Sequence, residues 1–175
     1  MTFEIQLHDA LHKYLLGLKS IDAHWPECPD VEEKWVAIGN AYLPDGVREY
    51  EHYPTASLGW MMYIGMAMAK YWDQDWEIYG PMPDVYAYMR GKRGYDNMDE
   101  YIMEDVLMLR GDECKKTENL VGDCATMAND MLRHHGFEPS TPEAFQAYVA
   151  CLRQLYLMGM AVQLHTMGYH MTKIQ

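Results

Sequence analysis

Phenylalanine occurs only three times in 175 residues, and 14 basic side chains face 26 acidic ones. The shortage of cations excludes the most. A formal net charge of −12 is poorly suited to neutralising phosphates, so nucleic-acid binding is not expected. The same charge favours solubility. It also suits a basic partner, as in an immunity-type inhibitor that covers the cationic face of a basic enzyme.

Cysteine is present at Cys28, Cys114, Cys124 and Cys151, with no Cys-x-x-Cys pair. The first residues, MTFEIQLHD, place no basic stretch before an apolar run. Reduced thiols and a cytoplasmic location are therefore expected. No uncharged run is both long and apolar enough for a membrane span, which needs about 20 apolar residues. The run from Tyr53 to Ala69 is too short. The run from Gln154 to Thr172 carries Gln154, Gln163, His165 and His170, and the mean hydropathy is −0.35. Alternating strand patterns are lacking, as are a P-loop, a GxGxxG and a GxSxG, so nucleotide binding and serine hydrolysis find no support. No organic cofactor is predicted.

What is present is helical and rich in adaptable side chains. Sixteen methionines, 14 tyrosines and five tryptophans supply the apolar bulk. Methionine is flexible and fills irregular gaps between helices. Phe3 to Lys19 repeats apolar residues at helical spacing. A helix is expected from Asp30, capped by Asp30 and Glu33. Pro44-Asp45-Gly46 reads as a turn, followed by a short helix from Val47 to Tyr53. Two uncharged helices, at about 54–76 and 141–171, are expected at the centre, because a helix that is apolar all round is buried on all sides. Helices are also expected at 84–90, at 96–110 and from about 112 to His135. Thr141 and Pro142 form an N-cap and first-turn pair. The chain 1–175 thus reads as one all-α domain, a bundle of about seven helices.

Both uncharged helices carry a mid-length glycine, Gly65 and Gly159. Glycine costs about 1 kcal/mol relative to alanine inside a helix. Close backbone approach would offset that cost, so the two helices are predicted to cross at these residues.

Four clusters carry possible chemistry. Glu49-x-x-His52 and Asp9-x-x-His12 share the i, i+3 spacing found in di-metal helical bundles. Glu100 or Glu104, and Glu118 or Asp123, are the candidate additional carboxylates for a divalent metal. His165, His170, Met167 and Met171 are soft donors suited to copper, although a spacing of five separates the histidines on the helix; His8 and His12 offer two zinc ligands. Trp72, Asp73 and Trp76 suit a pocket mouth that selects a cation, or a solvated helix end. Arg90, Lys92 and Arg93, set between glycines, suit a loop that grips an anion, or that pairs with the acidic surface.

The chain reads foremost as a module that binds a protein partner or itself, with homodimerisation favoured by its apolar surplus. The rival is a metal-dependent bundle enzyme using Asp9, His12, Glu49 and His52. The third possibility is the inhibitor of a basic enzyme.

Overall fold

The computed structural model describes residues 2–169, and every regular element among them is helical. In chain order these are α1 (Phe3–Gly17), α2 (Pro29–Glu32), α3 (Trp35–Tyr50), α4 (Pro54–Tyr79), α5 (Val85–Arg93), α6 (Met98–Tyr101), α7 (Asp112–His134) and α8 (Pro142–Thr166). A π-helical turn at Ile102–Val106 continues α6. With that turn counted as part of α6 and the single-turn α2 set aside, seven helices pack as the expected bundle. All of them contribute side chains to one hydrophobic core.

The two central helices expected from the sequence, α4 and α8, with charges confined to Lys70 and the last turns of α4 and to Glu143 and Arg153 of α8, form the centre and share the largest helix–helix contact. Nearly every residue of α4 from Ser57 to Ala69 is buried. The crossing lies at the two glycines. A Cβ on Gly65 would overlap the Tyr156 carbonyl and lie 2.9 Å from its carbon. A Cβ on Gly159 would overlap the Met62 carbonyl and lie 3.0 Å from that carbon. Each helix thus rests backbone to backbone on the other, a contact that no larger residue permits.

Around this pair, α1 buries Leu7, Leu11 and Leu15 completely. Each such leucine contributes up to about 2–3 kcal/mol relative to an exposed one. Helix starts follow local chemistry. The hydroxyls of Thr2 and Thr141 accept the N–H of Ile5 and Ala144, at 3.2 and 3.1 Å. The Asp84 carboxylate accepts the Ala87 N–H at 2.9 Å. Such caps are worth about 1 kcal/mol each.

The structure departs from the sequence expectation in several places. First, Pro44-Asp45-Gly46 is not a turn; α3 runs through it without a break. Long-range contacts override the local preference. Asp45 is 7% exposed and accepts hydrogen bonds from Tyr86, Arg48 and Arg90. A Cβ on Gly46 would lie 2.7 Å from the Tyr148 hydroxyl and 2.8 Å from Tyr42 Cδ2. Gly46 serves close packing here, not a positive φ. Second, α2 starts at Pro29 rather than at an Asp30 cap, and Glu32 accepts the Cys28 N–H at 2.9 Å.

Third, α4 continues to Tyr79 with a kink at Asp75 (φ −140°, ψ 41°). Fourth, the helix expected at 96–110 ends early. Its π turn is closed by Leu107 N–H donating to Ile102 O at 2.8 Å, and Met108 then takes φ +58°. At the end of the chain, α8 stops at Thr166; residues 170 and 171 of the expected helix lie outside the described residues. No helix among the described residues is long and apolar enough to cross a membrane.

Candidate functional site

The residues singled out in the sequence are not gathered into one site. Asp9 and His12 lie on α1, with His12 packed against His8 and Trp25 at ring distances of 6.0 and 6.2 Å. Glu49 is in the last turn of α3, and His52 is an exposed residue just beyond it. Among the described residues no three His, Cys, Asp or Glu side chains are placed to hold a metal ion. The two carboxylate–histidine pairs therefore do not converge. Of the four suggested extra carboxylates, Glu104 and Asp123 are engaged elsewhere, and Glu100 and Glu118 are exposed. Glu104 accepts from Arg93 at 2.8 Å. Asp123 accepts the Tyr14 hydroxyl at 2.7 Å, which with burial pushes the Tyr14 pKa up to about 12. His165 sits 3.2 Å from Asp22. His170 and Met171 lie outside the described residues.

Trp72, Asp73 and Trp76 fasten the end of α4. Trp72 Nε1 donates to Asp30 at 3.1 Å, and its ring meets Tyr169 edge-on at 5.4 Å. The Tyr169 hydroxyl donates to Asp73. The Lys34 ammonium lies 6.0 Å from the Trp76 ring centre and donates to Gly80 O. These aromatic and acidic groups meet partners within the chain.

Arg90, Lys92 and Arg93 form the last turn of α5 rather than a loop. Arg90 donates to both oxygens of Asp45, at 2.7 and 3.2 Å. Arg93 bridges Glu104 and Asp105. Lys92 lies 4.3 Å over the Tyr88 ring. Burial alone would raise the Asp45 pKa, but hydrogen bonds from Arg90, Tyr86 and Arg48 outweigh it and hold the carboxyl below its ordinary value. These cations are spent on the fold's own acidic and aromatic groups.

A more open feature lies where α3, α7 and α8 meet, a cleft of about 600 Å³. Its floor is made by Tyr50 and Tyr148, whose rings are 5.0 Å apart. Both hydroxyls point into the protein. Tyr50 donates to Asn129 at 2.8 Å. The Ser57 hydroxyl gives its proton to Gly46 O at 2.8 Å, so Tyr148 donates to Ser57 Oγ at 2.6 Å. Burial raises both phenol pKa values. The floor therefore presents ring faces, with its polar atoms satisfied below.

The walls are apolar: Val47 of α3, Leu132 of α7, Phe137 and Pro139 of the connection, and Phe145 of α8. Two of the three phenylalanines stand here. A second hollow of about 100 Å³ continues along the same side, lined by Val36, Leu43 and Val149. Residues 36, 43 and 47 share one face of α3, and 145, 149 and 152 one face of α8. Val36 is 66%, Phe145 46% and Val47 39% exposed. At the rim stand Glu51 and Arg133, opposite in sign, neither side chain making a hydrogen bond or ion pair among the described residues. Sequence reasoning missed this face because its exposed apolar residues, one or two to a helix, form no stripe of their own. The clustering of scarce phenylalanine was the available signal.

Compared with protein-family models, with curated proteins and with solved structures, the chain matches none of them.

Proposed function

We propose that this protein acts by binding rather than by catalysis, and that the occupant of the α3/α7/α8 face is a second copy of the chain. The observation that carries this is the joining of exposed Val36, Val47 and Phe145 with two apolar hollows on one side of the bundle. Isolated apolar residues on a surface need no partner, whereas apolar residues grouped on one side favour one.

The rim favours a like partner. An isologous two-fold contact requires one patch to complement itself. Glu51 and Arg133 offer one charge of each sign on the same cleft, so each arginine can meet the other copy's glutamate. Phe145 and Val47 would enter the opposing cleft, where aromatic anchors dominate interface energetics. With each copy at −12, long-range repulsion opposes association and is screened by salt. Self-association should therefore strengthen as salt rises.

Sedimentation velocity across concentration tests the proposal. A dimer is expected that tightens between low and moderate salt and is lost in Phe145→Asp. Arg133→Glu should weaken it, and the exchange Glu51→Arg/Arg133→Glu should restore it. A chain that stays monomeric at high concentration, or a Phe145→Asp variant that dimerises as before, rejects the second copy as occupant.

A further inference from the structure

Away from that face, a cavity of about 240 Å³ opens between the end of α1, the second turn of α7 and the end of α8. Its polar lining is Lys19, Ser20, Lys116, Thr117, His165 and Thr166, over an apolar floor that includes Met66 and Val162. None of its lining residues is acidic, in a chain with 26 acidic residues. We propose that this cavity binds a small phosphoryl dianion, either free phosphate or a monoester of about three or four carbons.

Two observations point there. The first concerns the lysines. The Lys19 and Lys116 side chains have no hydrogen bond, ion pair or ring contact among the described residues. They are not consumed by the helix ends beside them. The final carbonyls of α1 are taken by backbone N–H groups, Leu16 O by Lys19 and Leu15 O by Ser20, both at 2.9 Å. Those of α8 are taken likewise, His165 O by Gly168 at 3.0 Å and Leu164 O by Tyr169 at 2.9 Å. Ser20 Oγ has no partner among the described residues either. Thr117 and Thr166 give their protons to their own helices and serve as wall. His165 is held beside Asp22. The donors left among the lining residues are thus the ammonium groups of two exposed lysines and one half-buried hydroxyl.

The second observation is the backbone of Lys19. Helices α1, α7 and α8 each end on a left-handed residue after their last turn. Two use glycine: Gly136 (φ +83°) after α7 and Gly168 (φ +91°) after α8. After α1 the position is Lys19, at φ +59°. Glycine adopts this conformation freely, whereas a residue with a Cβ is strained in it. A lysine one position earlier would complement the α1 dipole without that strain. Met108 and Ser140 share this conformation, at φ +58° and +62°, but of these three residues Lys19 alone brings a cation to a cavity, as a strained binding residue would. The ligand class follows from the donors. Lysine meets a phosphoryl group as a point charge, whereas planar carboxylate recognition favours the arginine fork, which is absent here.

The experiment is a titration of isotope-labelled protein, in phosphate-free buffer, with glycerol 3-phosphate, inorganic phosphate, succinate and glycerol. Saturable amide shifts are expected at residues 19–20, 116–117 and 165–166 for the two phosphoryl compounds. Succinate and glycerol should be at least about tenfold weaker. A tighter fit for glycerol 3-phosphate assigns the cavity to a monoester; equal or tighter binding of inorganic phosphate assigns it to the free ion. Lys116→Gln should weaken binding about tenfold. Lys115→Gln, which removes the same charge next door but outside the cavity, should not.

Lys19→Gly separates function from folding. It should lower phosphate affinity about tenfold while raising Tm by about 1–3 °C as the strain is relieved. The proposal is overturned by any of three results. These are no saturable response up to about 10 mM phosphate or ester, succinate binding as tightly as either, or Lys115→Gln costing as much affinity as Lys116→Gln.

Discussion

Adding one methyl group at the centre of the bundle should be among the most damaging small changes this protein can undergo. In Gly65→Ala the new Cβ would stand 2.9 Å from the Tyr156 carbonyl carbon, where carbon atoms ordinarily approach to about 3.5 Å. The obstacle is backbone, so no rotamer change relieves it. The helices must part by at least about 0.6 Å, a gap that forfeits a quarter to a half of each dispersion contact it opens. For some 40 atom pairs at about 0.1 kcal/mol each, that is about 1–2 kcal/mol. Strain in the displaced core adds about 2 kcal/mol. The better helix propensity of alanine returns about 1 kcal/mol.

The net loss is about 2–3 kcal/mol, or a fall in Tm of about 4–12 °C. Gly159→Ala, with its Cβ 3.0 Å from the Met62 carbonyl carbon, should cost about the same. Because one separation relieves both overlaps, the double variant should cost clearly less than the sum of the two. Urea unfolding of the two single variants and the double would measure this, with an unchanged m-value confirming that the same transition is followed. Gly122→Ala provides the control. Gly122 is exposed within α7, and a Cβ added there would meet nothing within 4 Å, so the same substitution should stabilise by about 0.5–1 kcal/mol. Strict additivity of the two central changes, or a central variant as stable as the parent, would refute the close crossing.

Other consequences are open to direct measurement. Asp45→Asn should destabilise by about 2 kcal/mol at neutral pH, since a buried charged acceptor of three side chains is lost; the figure is kept low because Arg48 and Arg90 are 62% and 44% exposed. The folded Asp45 carboxyl titrates below its ordinary 3.8. Its contribution is therefore full above that value and fades as pH falls further, so chemical denaturation between pH 5 and 2 should show an acid limb that Asp45→Asn flattens. At the alkaline end the sign reverses. Burial raises the pKa of most tyrosines, among them Tyr42, Tyr86, Tyr148 and Tyr156. Stability should fall as pH rises beyond about 10, and phenolate absorbance should grow in step with loss of helical circular dichroism rather than before it. Finally, burial pushes the thiols of Cys28, Cys124 and Cys151 up to about 11, 12 and 12. At neutral pH an aromatic disulfide reagent should label the half-buried Cys114 alone, with the others reacting on unfolding.

Features governed by nearest neighbours along the chain were legible in the sequence. Thr141-Pro142 opens α8 because a hydroxyl cap and a proline without an N–H satisfy a helix start locally. Gly65 and Gly159 were legible for a different reason: a residue that weakens its own helix must be offset by something across from it. What failed was local chemistry overridden at a distance. Pro44-Asp45-Gly46 carries every mark of a turn, yet Asp45 is claimed by Tyr86 and Arg90, 41 and 45 residues away. Arg90 to Gly94 has the composition of a loop, but Asp84 caps that segment as a helix and Asp45, Glu104 and Asp105 take its arginines. The spacing in Glu49-x-x-His52 and Asp9-x-x-His12 fixes each pair on its own helix. It contains no information on whether two helices turn those faces together. The apolar cleft was invisible for the same reason, since α3 adds only Val36 and Val47 and α8 only Phe145 as exposed apolar residues, and α7 only the buried Leu132.

The placement of the central contact has a consequence for how the chain is made. Ser57 and Tyr148, which join α4 to α8, are 91 residues apart in sequence. At synthesis rates of about 5–20 residues per second, α4 emerges roughly 5–20 s before the helix that covers it. Over that interval a 26-residue helix, apolar on nearly every side through its first two thirds, has no partner for its main contact surface. Its methionines and tyrosines must find provisional cover among α1, α3 and α7 or be shielded by other proteins. Closure of this long loop is then expected to weigh more on the folding rate than formation of any single helix. The glycines that let the two backbones meet leave α4 intrinsically less rigid until α8 arrives.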